Sequence, residues 1–113
     1  MKYKKLDRRI TKSALRVIES LCADYPRRKR ILNSMTGLRD EAALLGFKRT
    51  NDIIDEAMEC VDEGLRAYIL MDIGNGNGYN RSMASPFLSK DSYYKQKNNA
   101  IEDMAQKLNL ILY

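Results

Sequence analysis

Between residues 89 and 99 the chain reads SKDSYYKQKNN, a concentration of hydroxyl, lysine and amide side chains at helical spacing. On a helix phased by Ala100, Ile101, Met104, Ala105 and Leu108 as its buried face, Ser92, Lys95, Gln96 and Asn99 lie opposite, with Lys90 at the flank. Amides can pair two-fold with adenine, and lysine can reach guanine or phosphate. Tyr93 and Tyr94 fall at the margins of the buried face. Ser89 is placed to cap this helix, because its hydroxyl can accept a first-turn N–H. A short helix-forming patch at 80–84 and a turn through Ser85, Pro86 and Phe87 come just before it. That order is the one by which a helix-turn-helix puts a helix into the major groove of DNA. Glu102 and Asp103 would repel phosphate, so only the first two to three turns suit the groove. A polar solvent face of an ordinary core helix would use the same residue types; the short helix and turn favour readout.

Two further clusters are charged. Arg27, Arg28 and Arg30, with Lys29 between them and Lys2, Lys4, Lys5, Arg8 and Arg9 upstream, are candidates for phosphate contact. Such contacts bring affinity and register but little sequence information. A solubilising basic face explains them equally well. Asp55, Glu56, Glu59, Asp62 and Glu63 form an acidic set on one predicted helix. They read as a solvated face or, more specifically, as a protein-binding surface that mimics nucleic-acid charge against a basic groove.

No catalytic or metal-binding constellation competes with these. The chain has no histidine, and Cys22 and Cys60 stand 38 residues apart without a CxxC partner, so neither a zinc site nor a cofactor is expected. Both cysteines fall at apolar helical phases and read as buried thiols of a reducing compartment. The glycine-rich GNGNGY at 74–79 lacks the GKS or GKT of a phosphate loop and does not follow a strand. It reads as a flexible connector. These features argue against an enzyme. The polar start has no following apolar run and no segment approaches the ~20 residues needed to span a bilayer, so the expectation is a cytoplasmic protein without membrane contact.

The elements that must position these residues follow from periodicity. Ile10, Ala14, Leu15, Ile18, Leu21 and Cys22 mark a first helix. Tyr25-Pro26 interrupts it, and a second runs from Arg27 to about Met35 with Ile31, Leu32 and Met35 inward and Thr36-Gly37 closing it. Leu38, Ala42, Leu45 and Phe47 suggest a short helix ended by Gly46. Thr50 then caps a new one carrying Ile53, Ile54, Ala57, Met58 and Val61. Gly64 punctuates or kinks the chain before a helix through Leu65, Tyr68, Ile69 and Ile73. No segment alternates with period two, so the fold class is all-α, a small helical domain with a C-terminal helix-turn-helix-like unit. The two regions, 1–50 basic and 51–113 helix-turn-helix-like, together make one domain. Residues 1–30 hold eleven Lys or Arg against three acids, 31–80 hold four against nine, and 81–113 hold five against three. Two basic ends around an acidic middle suit a nucleic-acid binder.

From Val61 onward the chain is similar to small transcription regulators of phages and prophages of Gram-positive bacteria, the late-gene activators of the RinA and ArpU type. The matching pattern is an acidic start, a helix of the LRAYILMDI kind, a turn, a small-residue segment, then SKDSYYK and AIEDMAQKL. DYPRRKRI, from Asp24, resembles an element near their N-termini. The resemblance covers about half the chain. It implies a DNA-binding transcription regulator of a bacterial host's phage, with double-stranded DNA as partner and residues 89–99 as recognition segment. The chain departs from the pattern in its longer, glycine-rich connector and in SMASPF, where Pro86 shortens the small-residue helix. A decayed helix-turn-helix kept as a scaffold fits those departures, so the alternative is a phage-encoded inhibitor or adaptor of a host protein, such as RNA polymerase or a defence nuclease (an anti-CRISPR role). Regulators of this kind often pair on two half-sites, and the apolar end Ile111-Leu112-Tyr113 suggests a homodimer.

Overall fold

A computed structural model describes residues 4–34 and 40–111. Expectations placed on Lys2, Met35, Thr36-Gly37, Leu38, Leu112 and Tyr113 lie outside them. The described residues form five α-helices and no strand, so the all-α class holds. They are α1 (Lys12–Ala23), α2 (Tyr25–Ser34), α3 (Glu41–Ala57), α4 (Arg66–Asn75) and α5 (Lys90–Lys107). Short 3-10 turns at Met58–Cys60, Glu63–Leu65 and Tyr79–Arg81 connect the later ones.

Helix α1 starts at Lys12 because the Thr11 side chain accepts the Ala14 N–H at 3.0 Å. Ala14, Ile18 and Cys22 are buried on it, whereas Ile10 is buried just outside it, in an antiparallel bridge to Ile111. Ile111 is therefore covered by its own chain rather than left as an apolar end. Asp24 separates α1 from α2, and α2 begins at Tyr25, one residue before the proline. The expected inward residues Ile31 and Leu32 are only half-buried, and the buried residue of α2 is Arg28.

The largest departure from periodicity is α3. One helix runs through both Gly46 and Thr50, where two were expected, and it crosses the boundary between residues 50 and 51. Asp40 caps it by accepting the Ala42 and Ala43 N–H groups at 3.0 and 3.2 Å. Thr50 turns its hydroxyl back to the Gly46 carbonyl at 3.0 Å instead of capping a new helix. A glycine inside a helix costs about 1 kcal/mol, too little to outweigh the packing of Ile54 and Ala57 in the core. The apolar stripe continues through Met58 and Val61, both buried, but in a 3-10 turn that rotates Cys60 outward. Cys60 is exposed, contrary to expectation, and Cys22 is buried.

The core gathers Ile18, Ile54, Ile69 and Ile73 around α5, which contributes Tyr93, Ala100, Ile101, Met104 and Ala105. Leu108 packs half-buried beside them. Helices α1 and α4 pack most closely, and Gly74 permits it: a Cβ there would stand 2.9 Å from the backbone N and Cα of Ala23. Gly76, at φ +67°, ends α4 in a left-handed cap, with the Asn77 N–H on the Asp72 carbonyl at 2.9 Å. GNGNG is thus a helix end and a close-packing site rather than a loose connector. Gly74→Ala should lower stability by about 1–3 kcal/mol through overpacking, despite alanine's better helix propensity. A shift of the urea midpoint with unchanged slope would register it.

Candidate nucleic-acid interface

The α4–turn–α5 segment is fastened from inside by α5. Asp72, on α4, is fully buried, and one carboxylate oxygen accepts the Ser82 hydroxyl and, at 2.9 Å, the Tyr93 hydroxyl. Its other oxygen has no hydrogen-bond partner among the described residues. To reach Asp72, Ser82 leaves the helical region (φ −82°, ψ 138°), so the short helix expected at 80–84 is a single 3-10 turn, Tyr79–Arg81. The Tyr79 hydroxyl holds the following turn through the Ser85 and Leu88 carbonyls, at 3.1 and 2.7 Å. Tyr93 sits edge-on between Tyr79 and Tyr94, at centroid distances of 5.4 and 5.1 Å. Tyr93 therefore lies at the centre of the buried face, not at its margin. Burial, and then the bond to Asp72, push its hydroxyl pKa up.

Lys97 donates to the Asn77 carbonyl at 2.5 Å and lies over the Tyr93 and Tyr94 rings. Desolvation lowers its pKa, opposed by the charges of Asp72 and Glu19. Leu88 packs against the core, while Phe87 is 68% exposed at the tip of the turn. Ser89 caps α5 as the sequence predicts, accepting the Ser92 N–H at 3.2 Å.

The candidate readout residues separate into two groups. Lys90 and Lys95 are exposed and Ser92 is half-exposed on the first two turns. Gln96 and Asn99 are tied to other parts of the chain. The Gln96 amide accepts the Asp62 N–H at 2.9 Å and donates to the Asp62 carboxylate at 3.1 Å. Asn99 accepts from the Lys4 ammonium, which also pairs with Glu102 at 2.9 Å. Helical phase put both amides toward solvent. It could not show that the 58–65 connection and the N-terminal arm would lie against them.

The basic set separates as well. Arg28 is buried, donating to Asn51 at 2.8 Å, to Asp24 at 3.3 Å and to the Leu21 carbonyl. Its guanidinium holds α1, α2 and α3 together. Arg27 grips Asp24 with two bonds of 2.7 and 2.8 Å and lies over Phe47. Arg30 is exposed. Further exposed bases, Lys5, Arg8, Lys12 and Arg16, line the arm and the outer side of α1.

Asp55, Glu56, Glu59, Asp62 and Glu63 are all exposed. Glu56 also borders an open groove of 430 Å³ shared with Cys60, Asn99, Glu102 and Asp103. No cluster of three or more potential metal ligands occurs among the described residues, and no helix among them is long and apolar enough to cross a membrane. Comparison with protein families, curated proteins and solved structures found no match to this chain.

Asp72 and Lys97 escaped the sequence reading. The available signal was a single acid inside the apolar run LRAYILMDI, a position where a charge must find internal donors. Tyr93→Phe removes one of them and should cost about 1–3 kcal/mol by equilibrium unfolding. Stability should also fall in alkali. Burial raises the Cys22 thiol from an ordinary 9.0 to about 12. Burial and the 2.5 Å bond to Asp55 raise the Tyr25 hydroxyl from 10.0 to about 12. Raised folded-state values favour folding fully below the unfolded pKa, and the benefit is lost as pH climbs through the folded one. Urea midpoints should therefore decline from pH 9.0 towards pH 12, with a shallower decline above pH 10.0 in Tyr25→Phe.

Proposed function

We propose that this chain is a phage-type DNA-binding transcription regulator that uses the N-terminal half of α5 against double-stranded DNA. The observation that supports the reading best is the exposure of Lys90 and Lys95 on the first two turns of a helix that is capped at Ser89 and rooted in the core. Lys90 and Lys95 contact phosphate or guanine, and Ser92, Gln96 and Asn99 reach base edges once the amides exchange their present partners. Arg30, Lys12 and Arg16 add phosphate contacts. Arg27 and Arg28 act in this reading by shaping the α1–α2 corner, since their guanidinium groups already hold Asp24 and Asn51. The protein works in the bacterial cytoplasm, as a homodimer on two half-sites.

A second reading has its own observation. Glu102 and Asp103 of α5 join Glu56 around one groove, beside the exposed Glu59, Asp62 and Glu63. Lys4 and Lys107 pair with those three acids, so the negative surface offered to a basic groove on a host protein such as RNA polymerase is that of Glu59, Asp62 and Glu63.

Fluorescence anisotropy with duplexes from the protein's own locus at ~50 mM salt, where phosphate contacts are strongest, tests the first reading. Binding should weaken steeply with salt, and Lys95→Glu should weaken it about tenfold or more. Absence of binding to every such duplex would sink it. Loss of a stoichiometric, nuclease-resistant host-protein complex on Glu56→Lys with Glu59→Lys, with DNA binding absent, would establish the second.

A further inference from the structure

The N-terminal arm lies over the part of α5 that the proposed DNA contact needs. Residues 4–7 have no regular structure, and a turn at 8–9 leads into Ile10. Their contacts fall on one short stretch of α5. The Asn98 amide donates to the Lys4 carbonyl at 2.7 Å, the Lys4 ammonium bonds Asn99 and Glu102, and the Asp7 N–H donates to Glu102 at 3.1 Å. Leu6 packs against the core and lines a 200 Å³ cavity with Leu15, Lys97, Asn98 and Ile101. Asn98 is 8% exposed, and its side-chain amide bonds to the arm.

The anchorage changes abruptly at Ile10. Ile10 is buried and bridged to Ile111, and Thr11 caps α1 directly after it. Upstream of that point the polar contacts are partly exposed. Lys4 and Glu102 keep 37% and 19% of their side-chain surface in water, where salt and competing ions weaken a pair. The arm can thus lift about Ile10 while the helices stay packed.

We infer that residues 4–9 form a displaceable strap over α5, closed in the free protein by Lys4, Leu6 and Asp7 on Asn98, Asn99 and Glu102, and opened by DNA. The inference rests on the DNA-binding reading. Phosphates compete with Glu102 for Lys4, so the approach of the ligand itself favours opening. Opening uncovers Asn99 and releases Lys4 to the phosphate backbone. The closed strap lowers apparent affinity by the fraction of molecules that are shut.

Amide exchange read by NMR, together with DNA anisotropy, tests this on the full chain. Leu6→Ala loosens the strap without changing charge, and Asn98→Ala does so without touching Leu6. In both variants the Asp7 amide should exchange about tenfold faster while amides of residues 100–105 keep their protection. Affinity for the duplex should rise about three- to tenfold in both. Adding DNA to the unaltered protein should remove Asp7 protection. Asp7 protection equal to that of residues 100–105 overturns the strap, as does faster Asp7 exchange in the variants with unchanged affinity for a duplex that the unaltered protein binds. Faster exchange in both variants, with no duplex bound by any of the three proteins, supports a strap that opens and refutes the DNA reading instead.

Discussion

The structure depends on a carboxylate held out of water. Asp72 sits fully buried on α4, and its nearest compensation comes from two hydroxyls that belong to other elements, Ser82 in the turn and Tyr93 on α5. A buried carboxylate without donors is costly, so α4, the turn and α5 can come together essentially one way. Ser82 must abandon helical geometry to supply its hydroxyl, and Tyr93 must occupy the centre of the core. The Lys97 ammonium adds a positive charge on the same side. The polar centre thus sets how α5 emerges from the body.

That exit matters because α5 is both core and surface. It packs against α1, α3 and α4, and its first two turns carry Lys90 and Lys95 outward from a cap at Ser89. A helix rooted this firmly presents its leading end in a fixed direction, which is what readout in a groove demands. The same rooting leaves little room for reorientation, so any adjustment to a ligand falls to the parts lying over the helix, the N-terminal arm and the 58–65 connection.

Charge is partitioned by structure as well as by sequence. The four consecutive bases at 27–30 look alike in the chain, yet Arg28 is buried as a three-helix clasp, Arg27 is locked to Asp24 and Lys29 lies over Tyr25. Arginine tolerates the buried role because its guanidinium keeps its charge while satisfying several acceptors at once. Acids from α3 and α5 meet on the opposite account: Glu56 is far in sequence from the neighbours Glu102 and Asp103, and the three share one groove. The proposed DNA surface and the acidic surface therefore border each other along α5.

Sequence by itself determined the helical class, the Ser89 cap, the buried face at Ala100, Ile101, Met104 and Ala105, and the core positions Ile18, Ile54, Ile69 and Ile73. These are local properties: side chains three or four apart share a helix face whatever the rest of the chain does. Tertiary structure alone decided that Gly46 and Thr50 stay within one helix, that Arg28 is interior, that Asp72 organises the turn, and that Gln96 and Asn99 are held by Asp62 and Lys4. All but the first of those outcomes join residues 10 to 95 positions apart. Periodicity carries no information over such distances, because it records which face of a helix is apolar and not which segment comes to lie against it.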